Sequence, residues 1–292
     1  MTWVVAGGVF MIVATIGLVV SELVFARHAT LARTERISQS TARMLAEQTY
    51  RSIDGVALTM HAVADAIRQT SDRRVGPALV REILRSRTRT AIELRDLAFV
   101  PADGTGAVDV TGNPVPPIAL DALPYVREAV ANPGTIALGP PAAGRHLGES
   151  PDEAAAGGQF HIPMARAVTT SEGQLLGVVV GLLNPDFFVA SFEAVDAGRH
   201  GAIRLMHYGG ELAASTATAD GSPGTAMNAL PLFRSELPHK ERGTYRGQDP
   251  DGIERVTTFR VLRAYPLVVS VGLSVTEALD GWRQEAASFV AL

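Results

Sequence analysis

Seven histidines, His28, His61, His146, His161, His200, His207 and His239, are the side chains best suited to proton transfer or metal binding near neutral pH. No pair of them has metal-ligand spacing such as H-x-H or H-E-x-x-H. The chain has no cysteine, which excludes disulfides, iron–sulfur clusters, thiolate zinc sites and thiol nucleophiles. No G-x-S-x-G elbow, Walker loop or G-x-G-x-x-G fingerprint occurs, and Gly139-Pro-Pro-Ala-Ala-Gly144 lacks the ending that holds phosphates. Asp249 and Asp251 sit in turn-like sequence and read as solvated. The pattern therefore predicts a non-enzyme with no cofactor.

What remains is a binding pocket. Tyr125, Arg127, His161 and Arg166 are polar residues beside predicted core strands and are the ligand-binding candidates. Arg166 interrupts the apolar run FHIPMARAV, where a guanidinium could clamp a carboxylate bidentately. The competing use is a structural salt bridge, for instance to Asp96 or Asp186. His161 and Arg166 alternate in opposite phase along a regular strand, so at most one of them lines any single pocket.

The elements that must position these groups follow from composition and periodicity. A length of 292 residues, 47% of them hydrophobic, suits one or two domains with a real core. A charged fraction of 19% with ample aliphatics excludes disorder, and a net charge of −4 argues against nucleic-acid binding. Of the 26 basic residues only Lys240 is a lysine, a bias of composition rather than mechanism. Residues 27–95 carry 13 arginines against 7 acids, and the remainder is acidic.

Trp3 to Val20 is an 18-residue run without charge, about 27 Å long as a helix and close to the bilayer core. It reads as an uncleaved transmembrane helix; a cleaved signal peptide or a buried core helix are the alternatives. Arg27, Arg33, Arg36 and Arg43 follow the run and no basic residue precedes it, which by the positive-inside rule places the body in the cytoplasm. At the other end QEAASFVAL turns apolar, as either the first turns of a second membrane helix or an ordinary amphipathic end.

Ile53, Val56, Met60, Val63 and Ile67 follow a 3-4-3-4 spacing and form one stripe on a long helix. The stripe can serve as a homodimer seam or as a face that docks on the body. A second helix is expected at Gly76–Arg89, strands at Ile92–Val100 and Ala107–Thr111, a short helix at Leu120–Ala131 and a brief strand at Thr135–Leu138. The small-residue loop Gly139–Gly158 reads as too poor in large apolar groups to pack. Phe160–Thr169 and Leu175–Leu183 are strong strands, and LLGVVVGLL, apolar on both faces, is expected at the centre of a sheet. Asn184-Pro185 opens a helix. The scheme then repeats: strands at Ala202–His207 and Glu211–Ser215 around Tyr208-Gly-Gly210, a connecting helix at Leu230–Leu237, and strands at Gly243–Arg246, Glu254–Arg263 and Leu267–Leu273. Ser274 with Glu277 forms a capping box for a last helix.

This order of elements resembles the double Cache (PDC, tandem PAS-like) extracytoplasmic sensor domains of bacterial diguanylate cyclases and sensor histidine kinases. Gln159–Thr169, EGQLLGVVVGLLNPDFF, AVDAGRHGAIRLMHYGGELAAS and, most specifically, RVLRAYPLVVSVGLSVTEALDGWR carry the resemblance, which covers roughly residues 30–285. Gly209-Gly210 stands where Asp-Gly is usual, Val126 stands where a second aromatic is common, and the pattern of the amino-acid-binding relatives is not recognisable.

The resemblance implies an α+β fold: an N-terminal transmembrane helix (1–26) and long helical region (27–90), then two PAS-like α/β modules with antiparallel sheets. These are a membrane-distal module at 91–194 and a membrane-proximal one at 195–273, followed by an exit helix at 274–292. It further implies a body outside the inner membrane, against the arginine count. A small and in part anionic ligand would bind in the distal module, and the signal would pass to a cytoplasmic output outside this chain. The alternative is a structural or interaction protein that uses the same fold to bind a protein partner.

Overall fold

The computed structural model describes residues 2–70, 76–88, 91–110, 115–149, 154 and 157–290, without the side chains of 2–9, 12, 13, 16, 285 and 288–290. Helix α1 (Thr2–Thr70) runs about 100 Å and is followed by α2 (Pro77–Thr88). The first sheet comprises β1 (Leu94–Pro101), β2 (Val108–Asp109), β3 (Ala137–Leu138), β5 (Phe160–Thr169) and β6 (Leu175–Leu183), in the order β2-β1-β6-β5-β3. A two-residue strand β4 (Ala142–Ala143) pairs with β5 off that path. Helix α3 (Pro124–Ala131) lies on its outer face and α4 (Pro185–Glu193) follows β6. The second sheet orders β7 (Ala202–His207), β8 (Leu212–Ser215), β9 (Arg242–Gln248), β10 (Glu254–Val261) and β11 (Leu267–Ser274) as β8-β7-β11-β10-β9. Helices α5 (Val275–Ala278) and α6 (Asp280–Val290) close the chain. All strand pairings are antiparallel.

The apolar runs sit where their two-sided hydrophobicity requires. Strand β6 lies between β1 and β5, with Val179 and Leu183 in the core against α1 and Val178, Val180 and Leu182 in the core beneath α3. Strand β11 is likewise central, and its Val269 and Val271 face α1. A side chain at Gly181 would meet Met60 Sδ at 3.0 Å, so glycine lets α1 approach the sheet closely. The Ile53–Ile67 stripe is fully buried against the body, which decides between its two uses: these residues dock and are not a homodimer seam. Any dimer through α1 must use the opposite face, where Ile37, Met44 and Leu58 are exposed. Lower on α1, Ser38 Oγ donates to the Val271 carbonyl at 2.8 Å and Tyr50 packs on Tyr265. One helix therefore seats both sheets.

The apolar run 3–20 belongs to α1, but the side chains of residues 3–9, 12, 13 and 16 lie outside the described ones. Among the described residues no helix is long and apolar enough to cross a membrane. Asn184 caps α4 by accepting from the Asp186 N–H, with Pro185 at the first helical position. Ser274 caps α5 by accepting from the Glu277 N–H at 3.3 Å. The Glu277 carboxylate does not complete the capping box, because it accepts from the backbone N–H groups of Arg199 and His200 instead. The β7–β8 turn uses Gly210 at φ +103, a conformation that favours glycine. The connector expected at 230–237 is a single π-turn, Leu232–Glu236.

Candidate functional site

Strand alternation divides the predicted ligand residues between two faces. Arg166 points toward α1, where its field acts on His61 and where Asp65 and Arg68 lie near it. Its Nη1 donates to the Gly134 carbonyl at 2.7 Å. Neither salt-bridge partner considered for it is used. Asp186 takes Arg95 at 2.6 Å, and Asp96 Oδ2 faces His146 Nδ1 at 3.6 Å. Tyr125, Arg127 and His161 are on the outer side. Burial pushes the Tyr125 hydroxyl up to about 12, and its ring packs beside Gly139 and Pro163. Arg127 lines a cleft of about 530 Å³ with Asp103, Ile118, Leu120, Asp121, Val130 and Leu175. One guanidinium, two carboxylates and an apolar floor can hold a small molecule that carries both charge signs.

His161 has a structural task. Its Nδ1 lies 2.9 Å from the Gly144 carbonyl, an acceptor, so the tautomer there is Nδ1–H. Burial lowers its pKa, and Arg95 adds to the effect, which keeps the ring neutral. This contact pins a loop that was expected not to pack. Leu147 and Ala154 are buried and Gly144 turns at φ +116. The Glu149 carboxylate accepts from the N–H groups of Arg145 and His146. Small residues suffice because backbone hydrogen bonds, rather than large apolar groups, hold the loop to β5.

The anchored loop sets His146 over two carboxylates on the sheet. Asp109 is opposite Ala98 across the β1–β2 pairing, and Asp96 is two residues along β1, so both share the outer face. Burial, and next the neighbouring Asp109, push the Asp96 carboxyl above its ordinary range, against the N–H groups of Leu97 and Leu147 and against His146. Asp96 Oδ1 accepts from Leu97 N–H at 2.8 Å, whereas the buried Oδ2 has no hydrogen bond. One possible ligand atom from each of Asp96, Asp109 and His146 lies within 4.8 Å of the others. Sequence spacing missed this group because its members come from two strands and a distant loop.

On the outer face of the second sheet five charged residues form a network. Arg204 forks onto Asp220 at 2.6 and 2.9 Å, and Ser215 donates to the same carboxylate. Arg204 Nη1 lies 2.7 Å from Asp249 Oδ2, close enough for an ion pair though without hydrogen-bond alignment. Arg255 reaches Asp249 at 2.7 Å and forks onto Asp251 at 2.9 and 2.6 Å. Asp249 and Asp251, expected to be solvated, are thus ion-paired, and Asp249 is 5% exposed. Hydrogen bonding from Arg255 holds Asp251 below the ordinary carboxylate range despite partial burial. A depressed folded value contributes stability that is fully present above the unfolded value of about 3.9 and is lost as pH falls through the folded value. The urea midpoint of the wild type is expected to fall between roughly pH 5 and pH 2. Asp251→Asn should have a lower midpoint at pH 7 and a shallower decline; identical pH profiles would remove Asp251 from that account.

The comparisons with known proteins agree with this architecture. The family model for histidine kinase sensor domains, dCache_1-like, matches residues 185–272. No curated protein matches the chain. Among solved structures, the extracellular domain of rpHK1S-Z16, a protein assigned to the histidine kinases, is 26% identical with a TM-score of 0.72; the match covers 86% of this chain and 99% of that one. The periplasmic sensory domain of the Campylobacter jejuni chemoreceptor Tlp1 matches at 11% identity and TM-score 0.67, over 86% of this chain and 98% of its own. The ligand-binding domain of the Pseudomonas fluorescens chemoreceptor CtaA, in complex with L-isoleucine, matches at 18% and 0.62, over 88% and 98%. These relatives are sensor and ligand-binding domains rather than catalytic ones. A long helix that seats two antiparallel sheets, together with the match over residues 185–272, makes this chain similar to dCache-like sensor domains.

Proposed function

We propose that the chain is a membrane-anchored extracytoplasmic sensor whose first-sheet module (91–194) binds a small molecule bearing a carboxylate. The membrane-proximal module (195–273) and the helix at 274–292 would pass the signal to a cytoplasmic output, a histidine kinase or diguanylate cyclase, outside this chain. The observation that carries the reading is the shared fold with domains determined in complex with L-isoleucine, GABA and L-arginine. The Arg127 cleft supplies matching chemistry: the guanidinium for a carboxylate, and Asp103 and Asp121 for an amine. Exposed Phe10, Met11, Leu18 and Phe25 on α1 support lipid burial of its first turns.

A thermal-shift screen with small carboxylates, amino acids and amines tests the pocket. A ligand at 100 times its dissociation constant adds about 2.7 kcal/mol. Arg127→Ala should remove that stabilisation and leave the unliganded melting point within a degree or two, since Arg127 is exposed. Stabilisation that survives Arg127→Ala moves the site elsewhere, and no shift with any compound favours the partner-binding alternative. Topology has its own test. A periplasm-dependent reporter fused after residue 285 should be active, and a cytoplasmic signal overturns the extracytoplasmic placement.

A further inference from the structure

We propose that Asp96, Asp109 and His146 form a binding site for one divalent transition-metal ion beneath the 144–149 loop. The inference goes beyond the proposed ligand cleft, because the site is composed of different residues and stands whether or not that cleft holds an organic molecule.

The argument begins with an unmet requirement. Asp96 is 1% exposed, and its Oδ2 is buried without a hydrogen bond. His146 Nδ1 is buried and likewise has none; the two atoms are 3.6 Å apart, too long for a hydrogen bond. Leaving such atoms unsatisfied is costly. A doubly charged cation at their focus meets that requirement.

Distances suit an ion. Ligand atoms in a tetrahedral site with bonds of about 2.05 Å are about 3.3 Å apart. The Asp96 Oδ2–His146 Nδ1 separation of 3.6 Å is close to that edge, and all three ligand atoms fall within 4.8 Å of one another. Ligand chemistry narrows the metal. An imidazole with two carboxylates suits Zn²⁺ or Mn²⁺, whereas Ca²⁺ requires six to eight oxygens.

The surroundings are those of a built site. His161 pins Gly144, the Glu149 carboxylate holds the N–H groups of residues 145 and 146, and Leu147 is buried beside them. These contacts fix the backbone on both sides of His146 before any metal arrives. Coordination would then join β1, β2 and the loop through one ion.

The test uses the full chain, stripped with EDTA and titrated calorimetrically with Zn²⁺, Mn²⁺ and Ca²⁺. The expected result is one Zn²⁺ or Mn²⁺ per chain with an increase in melting temperature, and Ca²⁺ at least tenfold weaker. Co²⁺ should give visible absorption bands from a nitrogen–oxygen ligand set. Asp96→Asn and His146→Gln should each weaken binding at least tenfold and abolish the Co²⁺ bands. His146→Gln keeps the test sound if Asp96→Asn misfolds, because the imidazole is partly exposed and its loss leaves the core intact. Binding unchanged in both variants assigns the metal to other histidines and overturns the proposal, as does no binding at all. Arg127→Ala should leave metal binding untouched, which separates failure of this site from failure of the organic-ligand reading.

Discussion

Arg204→Ala is expected to destabilise the protein by about 3–5 kcal/mol, read as a lower urea midpoint at pH 7. Arg204 is wholly buried, and its guanidinium neutralises Asp220 and Asp249, whose side chains are 3% and 1% exposed. Truncation leaves Asp220 with only Ser215 as a side-chain donor and Asp249 with only Arg255. An unpaired buried carboxylate costs more than the pair contributed, because desolvation is already complete when the partner is lost. The control is the joint replacement Arg204→Met with Asp220→Leu. It removes both charges at similar volume and should cost clearly less than Arg204→Ala alone. A single substitution that costs under about 1 kcal/mol would mean that water reaches the network and solvates the remaining charges.

That network also shows where the sequence was legible and where it was not. β6 announces itself, because a run apolar on both faces fits only the middle of a covered sheet. Caps are local, so Asn184-Pro185 and Ser274 could be read directly, while the diversion of Glu277 to Arg199 and His200 could not. Arg204 lies in AIRLMH, which reads as a strand, yet nothing nearby reveals that Asp249 and Asp220 come over its outer face. Asp96 is hidden for the same reason in LRDLAFV, since the loop that carries His146 covers it only in three dimensions. Buried charges defeat a linear reading because their partners are placed by topology. The same limit governs the Ile53–Ile67 stripe, whose spacing specifies an apolar face but not what covers it. Among the ligand candidates, alternation separated Arg166 from His161 in advance, and the structure adds that Tyr125 and Arg127 share the side of His161.

Phe188→Ala is expected to destabilise the chain by about 3–5 kcal/mol, in one cooperative transition. Phe188 is 1% exposed on α4, set edge-to-face with Phe187 at 5.3 Å, and belongs to an apolar cluster that contains core residues of both sheets. Helix α4 touches β5 of the first sheet and β8 of the second, and α1 lines both, so no apolar boundary divides the two halves. Loss of the ring therefore weakens both sheets together. Near-ultraviolet and far-ultraviolet dichroism should give coincident urea transitions, shifted equally. Two resolved transitions in the variant would show that α4 is the principal tie and that α1 alone cannot couple the sheets. The point bears on signalling. The cleft at Arg127 lies on the first sheet, whereas α6 follows the second and its Trp282 Nε1 donates to the α1 carbonyl of Leu23 at 2.8 Å. A change made at the cleft can reach that contact through elements packed against both sheets, α1 and α4 among them. Coupled unfolding is the thermodynamic signature of that shared core, and Phe188 is the residue whose removal tests it most severely.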